Sequence, residues 1–204
     1  MLELNGVSYG DVSPYSGIQP GTYTVSMVPA GSSAATAPVI SADIEVPATS
    51  AMTVVAYGPS TDLEVRAVND DLAAPTSGSG RIRLFQASTI TDSVDVETST
   101  GMPIAMDAAA GTVTDYAEVP AGSWTLELTG GDVTASANVN VAAGSVSTLF
   151  VLDTAAGGLT ILPIVDSADV GLSPAGGVQT GGGGTAPSGV VPTAGRPHGA
   201  MKAV

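Results

Sequence analysis

Apolar and polar side chains alternate with period two at two places where the chain repeats itself. In Ser123-Trp-Thr-Leu-Glu-Leu-Thr129 the apolar residues fall at 124, 126 and 128, and in Thr22-Tyr-Thr-Val-Ser-Met27 they fall at 23, 25 and 27. Successive side chains of a strand point to opposite faces, so this spacing predicts two half-buried β-strands. Each follows a Pro/Gly turn, Gln19-Pro20-Gly21 or Pro120-Ala121-Gly122, where proline presets φ and glycine accepts a geometry that other residues resist. Around these turns Tyr15 aligns with Tyr116, Ile18 with Val119, Gly21 with Gly122, Tyr23 with Trp124 and Val25 with Leu126, each 101 positions apart (116 − 15).

The alternation continues in both copies. Ala42, Ile44 and Val46 share one face of a predicted strand, and Ala51-Met-Thr-Val-Val-Ala-Tyr57 is nearly continuous in apolar residues, as expected of a strand covered on both sides. Leu63 to Val68 supplies a closing strand. In the second copy Arg81-Ile-Arg-Leu84 and Ser93-Val-Asp-Val-Glu97 form two opening strands. Val139 and Val141 then match Ile44 and Val46, Thr148 to Val151 matches Thr53 to Ala56, and Asp166 matches Asp70. These matches predict an all-β chain of two tandem immunoglobulin-like or transthyretin-like β-sandwich modules. The first spans residues 1–71, a linker 72–80, and the second 81–170. Tyr15 and Tyr116 sit just before the turns, where a ring can bury its body and bond a nearby backbone group through its hydroxyl, similar to the tyrosine corner of immunoglobulin-like sandwiches.

The comparison also predicts an omission. Arg81 precedes Tyr116 by 35 residues, whereas only 14 precede Tyr15, so the first copy lacks about 21 residues that would carry both opening strands. Met1 then reads as a late start within a longer gene whose product adds those strands behind an export signal. Without them the first sandwich has an unpaired edge, open to a donated strand or to self-association. Residues 171–204, rich in Gly and Pro, are predicted to form a disordered spacer because they cannot bury enough apolar area to offset ordering.

Composition narrows the partners. Five basic residues against 19 acids give a net charge of −14 over 204 residues, which excludes nucleic acid and anionic lipid, since polyanions require clustered bases. There is no cysteine, hence no disulfide or thiolate metal site. No apolar run reaches the length of a membrane span, and Met1-Leu-Glu-Leu-Asn-Gly6 lacks the features of a signal peptide. The one histidine, His198, lies in the tail between Pro197 and Gly199, so the modules offer no base for an ordinary serine hydrolase. Three acidic groups stand out, Asp70-Asp71, Asp92/Asp95/Glu97 and Asp115/Glu118; the row of Asp95 and Glu97 on one strand face reads as solvated surface with a weak calcium site as the alternative, and none has the spacing of a calcium loop. No catalytic, cofactor-binding or metal residue is assigned, and no cofactor is expected.

An opening Ile82-Arg83-Leu84, then Val94-Asp95-Val96, the stretch from Tyr116 through Pro120-Ala-Gly122 to Trp124, and a closing Ile161 to Asp166 resemble the modules of the bacterial domain-of-unknown-function family 4397. The first copy matches from roughly Leu2 to Asp71. Where that family has His-x-Ser-Pro after the opening strand, this chain has Gln86-Ala-Ser-Thr89, so no role of that histidine carries over. The resemblance implies a secreted or surface-exposed β module. The expectation is therefore a non-enzymatic extracellular or cell-surface protein, a structural or adhesive spacer of the bacterial envelope, with a glycan- or peptide-binding module as the alternative. Its partners would be a cell-wall component, another envelope protein or a second copy paired through a strand edge. A spacer should bury nearly all eight aromatic side chains, of which Tyr9 and Phe85 have no assigned core face.

Overall fold

The repeated turn-and-strand unit folds the same way twice. In the computed structural model, which describes residues 6–29, 31–33, 35–168 and 199–203, Gly21 and Gly122 have φ of 151° and 149°. Side chains with a Cβ rarely adopt such angles, so both turns depend on glycine.

In the second module four strands form one sheet in the order β9 (Ala117–Pro120), β6 (Ser79–Gln86), β12 (Ser145–Asp153) and β13 (Leu159–Ala168). A second sheet holds β11 (Val133–Val141), β10 (Gly122–Gly130), β7 (Ser93–Thr98) and β8 (Pro103–Ala109) in that order. The inward residues of both sheets meet in one core that includes Ile82, Leu84, Val94, Val96, Leu126, Leu128, Val139 and Leu149, a sandwich in the ordinary sense. β8 had no clear alternation to announce it: Pro103-Ile-Ala-Met-Asp-Ala-Ala109 pairs with β7 through irregular register, with Asp107 at φ 49°.

The first module places β1 (Ser16–Ile18), β4 (Ala51–Tyr57) and β5 (Glu64–Asp70) in one sheet, while β2 (Gly21–Met27) pairs with β3 (Ile40–Val46) in another. Between β1 and β4 lies β14 (Gly199–Ala203), parallel to β4 and antiparallel to β1. This is the place that β6 takes in the second module, between β9 and β12, and the register agrees residue for residue. Thr53 faces Lys202 as Thr148 faces Arg83, and Ile18 faces Gly199 as Val119 faces Gly80. The opening-strand position expected to be empty is thus filled from the far end of the chain. The expected disordered tail falls largely on residues 169–198, outside the described residues, but its end is a strand. Five residues with one large apolar side chain carried too little alternation to be read as one. The position of β7, beside β2, has no counterpart among the described residues.

The two modules join through the remaining faces of their larger sheets. Val55, Phe85, Ala87, Phe150 and Leu152 form a third buried cluster, with Tyr57, Val68, Leu162 and Ile164 against it. Phe85 lies 5.6 Å edge-on from Tyr57 and 5.5 Å from Phe150, spacings favoured by ring quadrupoles. β12 is therefore buried on both faces, and eight of its nine residues are buried. The continuous apolar run of β4 has the same cause: Met52 and Val54 face their own core and Val55 faces the junction.

Candidate functional site

Alternation along β4 and β12 that sends Val54 and Leu149 into the cores sends Thr53 and Thr148 to the junction. Each threonine bonds the closing aspartate of its own module: Thr53 Oγ1 donates to Asp70 Oδ2 at 2.7 Å, and Thr148 Oγ1 to Asp166 Oδ2 at 2.6 Å. The tyrosines before the turns join them. Tyr15 donates its hydroxyl to Asp70, and Tyr116 to Asp166 at 2.8 Å. Asp166 occupies a bulge, since the β12–β13 register skips from Ser167 to Val165 there, and a bulge can re-aim a side chain.

The cations arrive crosswise. Arg83, on the opening strand of the second module, pairs with Asp70 of the first; Lys202, at the matching position of β14 in the first module's sheet, pairs with Asp166 of the second. Arg83 also donates Nε to Thr148 Oγ1 at 2.9 Å and Nη1 to the Asn69 carbonyl at 3.0 Å. Each cation lies over the tyrosine ring of the sheet it belongs to, Arg83 at 4.6 Å from the Tyr116 centroid and the Lys202 amine at 5.1 Å from that of Tyr15. All four charged residues are buried. A residue i touching j while its counterpart touches i's equivalent is the reciprocity of a two-fold interface, here formed within one chain. Desolvation, followed by the Asp70 hydrogen bond and charge, pushes the Tyr15 hydroxyl well above the usual phenol range; desolvation and the Asp166 charge do the same to Tyr116. Both therefore stay protonated donors.

A cavity of about 330 Å³ opens beside this junction, lined by Asn69, Arg81, Arg83, Thr114 and Tyr116 among others. Its one accessible guanidinium is committed. Arg81 bonds the Asp71 carboxylate at 2.7 Å and the carbonyls of Asp71 and Ala73, pinning the connection between modules and holding the Asp71 carboxyl below its usual range.

The remaining sequence candidates scatter. Asp95 accepts the Asp107 backbone N–H at 2.6 Å, and Glu118 accepts from Thr76 across the start of β6. Asp92, Asp115 and Glu97 are exposed, and among the described residues no group of three His, Cys, Asp or Glu side chains could hold a metal. His198 lies outside the described residues. Gln86 is fully buried and folds back on its own loop, accepting the Ser88 N–H at 2.7 Å. The expected backbone bond of Tyr15 and Tyr116 is not made; their partners are carboxylates. The corner-like bond belongs to the next aromatics, Tyr23 to the Gln19 carbonyl at 2.7 Å and Trp124 Nε1 to that of Pro120 at 3.1 Å. Sequence matching paired Asp70 with Asp166 and Thr53 with Thr148. It missed the crossed cations, because Lys202 lies outside any visible repeat.

Two like sandwiches in series, with every buried charge among the described residues spent on joining them, define a tandem modular β-protein. The profile of the family described as a domain of unknown function (DUF4397) matches residues 1–97 and again 93–179, and the chain belongs to that family. No curated protein matches it.

Proposed function

We propose that the chain is a non-enzymatic structural or adhesive spacer exported to the surface of a bacterial envelope. The observation that supports this best is the fate of the aromatics: of the eight, only Tyr9 is exposed, while Phe85, the other without an assigned core face, is buried between the modules. A glycan-binding face would present stacked rings to solvent, whereas an element that transmits load needs its rings inside. The buried junction serves the same purpose, since domains joined by a buried apolar cluster and paired charges do not swing freely.

A peptide-binding reading is favoured by one feature, the edge of β2. Val25 and Met27 are half-exposed, while their counterparts Leu126 and Leu128, covered by β7, are buried. Among the described residues no strand covers the outer edge of β2, which carries no charge and no proline, two common defences of an edge, so an extended segment of an envelope protein or of a second copy has a place to pair.

Fractionation and surface-protease shaving of the producing bacterium test the location, and a glycan array on the purified chain tests the role. Surface-exposed protein without saturable glycan binding fits a spacer. Saturable binding abolished by Tyr9→Ala points to the glycan module instead, and a cytoplasmic pool alone refutes both.

A further inference from the structure

We infer that the first module is a strand acceptor, and that its acceptor slot between β1 and β4 takes the C-terminal strand of a second copy of this chain as well as its own. The slot has a definable specificity because β6 shows what an opening strand must supply. At matched register β6 presents Gly80, Ile82, Arg83 and Leu84, and β14 presents Gly199, Met201, Lys202 and Ala203. Glycine is required at the first position in the second module, where a Cβ on Gly80 would meet Val141 Cγ1 at 2.5 Å and the Ala142 carbonyl at 2.9 Å. The apolar residue fills the core: Met201 packs with Ile44, Val46, Met52 and Val54. The cation then reaches Asp166, which would otherwise be left with hydroxyl partners alone. The ligand is accordingly an extended Gly-x-apolar-basic-apolar segment running parallel to β4.

Nothing in these contacts requires donor and acceptor to be one molecule. Among the described residues β14 pairs with β1 and β4 alone, and residues 169–198 separate it in sequence from β13. Its contacts are identical whichever copy donates it, which is the condition for exchange of an element between protomers. The strand is also short, with Met201 and Lys202 buried and Ala203 half-buried, so it leaves by a local opening rather than by global unfolding. An opened molecule offers both a donor strand and an empty slot, and such head-to-tail pairs close into swapped dimers or extend into filaments. This pairing is independent of the β2 edge.

The absence of cysteine makes the test direct. Ser13 donates its backbone N–H to the Ala203 carbonyl at 2.9 Å and accepts the Ala203 N–H on its Oγ at 3.0 Å, so the two residues are neighbours across the strand boundary and suit a trial cysteine pair. Two full-length variants, Ser13→Cys and Ala203→Cys, carry different mass tags and are mixed after separate purification, then oxidised over a concentration series. Chance coupling of equal amounts gives a mixed product equal to the two homodimers together; exchange yields the mixed disulfide in excess of that sum, rising with concentration, and loses the excess when the donor also carries Lys202→Glu. A mixed product no greater than the sum of the two homodimers at every concentration overturns the inference, as does an excess that Lys202→Glu leaves unchanged. Pairing through β2 alone gives no such excess and counts against it.

Discussion

Replacing Asp70 by alanine tests the crossed junction most severely. Asp70 accepts from Tyr15, from Thr53 and from Arg83, whose side chain is 3% exposed. Removing one member of a buried ion pair costs about 3–5 kcal/mol, because the partner charge stays behind uncompensated. Arg83 keeps its bonds to Thr148 and the Asn69 carbonyl, which places its share at the low end. Two orphaned hydroxyls each add about 1 kcal/mol. Asp70→Ala should thus destabilise the chain by about 4–5 kcal/mol, a large part of the roughly 5–15 kcal/mol a domain possesses. The double variant Asp70→Leu, Arg83→Met replaces the pair with apolar volume and should recover about half or more of that loss, since such exchanges are often neutral or stabilising. Urea unfolding followed in parallel by Trp124 fluorescence and far-ultraviolet circular dichroism reads both effects. Trp124 reports the second module, so coincident transitions in the parent and separated ones in Asp70→Ala would show that the pair couples the modules. A single-variant loss below about 1 kcal/mol, or a double variant no more stable than the single, refutes the assignment.

Phe85→Ala removes the ring at the centre of the junction, 1% exposed, and should cost about 3–5 kcal/mol in the same denaturation assay. Gly80→Ala should cost about 1–3 kcal/mol by overpacking against Val141 and the Ala142 carbonyl, whereas Gly17→Ala, whose Cβ would meet nothing within 4 Å, should leave the midpoint unchanged. Tyr15 and Tyr116 have hydroxyl pKa values raised by folding, so the unfolded chain loses its protons first. Their contribution is complete below pH about 10 and falls above it by up to about 1.4 kcal/mol per pH unit for each tyrosine. Denaturation midpoints measured from neutral to strongly alkaline pH, with tyrosinate absorbance followed alongside, should show the loss and the delayed ionisation together.

Much of the sandwich was legible because its determinants are local. Tyr23, Val25 and Met27 in one strand, and Trp124, Leu126 and Leu128 in its repeat, place one face inward whatever surrounds them, and Gly21 and Gly122 fix the turns. The run from Ala51 to Tyr57 announced a doubly covered strand, but not that the cover on one side was the other module. Tyr15 and Tyr116 were recognisable as buried hydrophilic tips; their true acceptors, Asp70 and Asp166, are 55 and 50 residues away and had been matched to each other without being matched to them.

Periodicity, turn chemistry and the internal repeat thus determined the strand types, the all-β class and the pairing of equivalent positions, because each depends on residues near one another in the chain. Tertiary structure alone decided that the closing aspartate of each module is neutralised by the opening strand of the other module's sheet. It alone decided, too, that Met201 and Lys202 do for the first module what Ile82 and Arg83 do for the second. A strand of five residues has too few side chains to declare itself; it becomes one only where two backbone edges and a buried carboxylate wait for it.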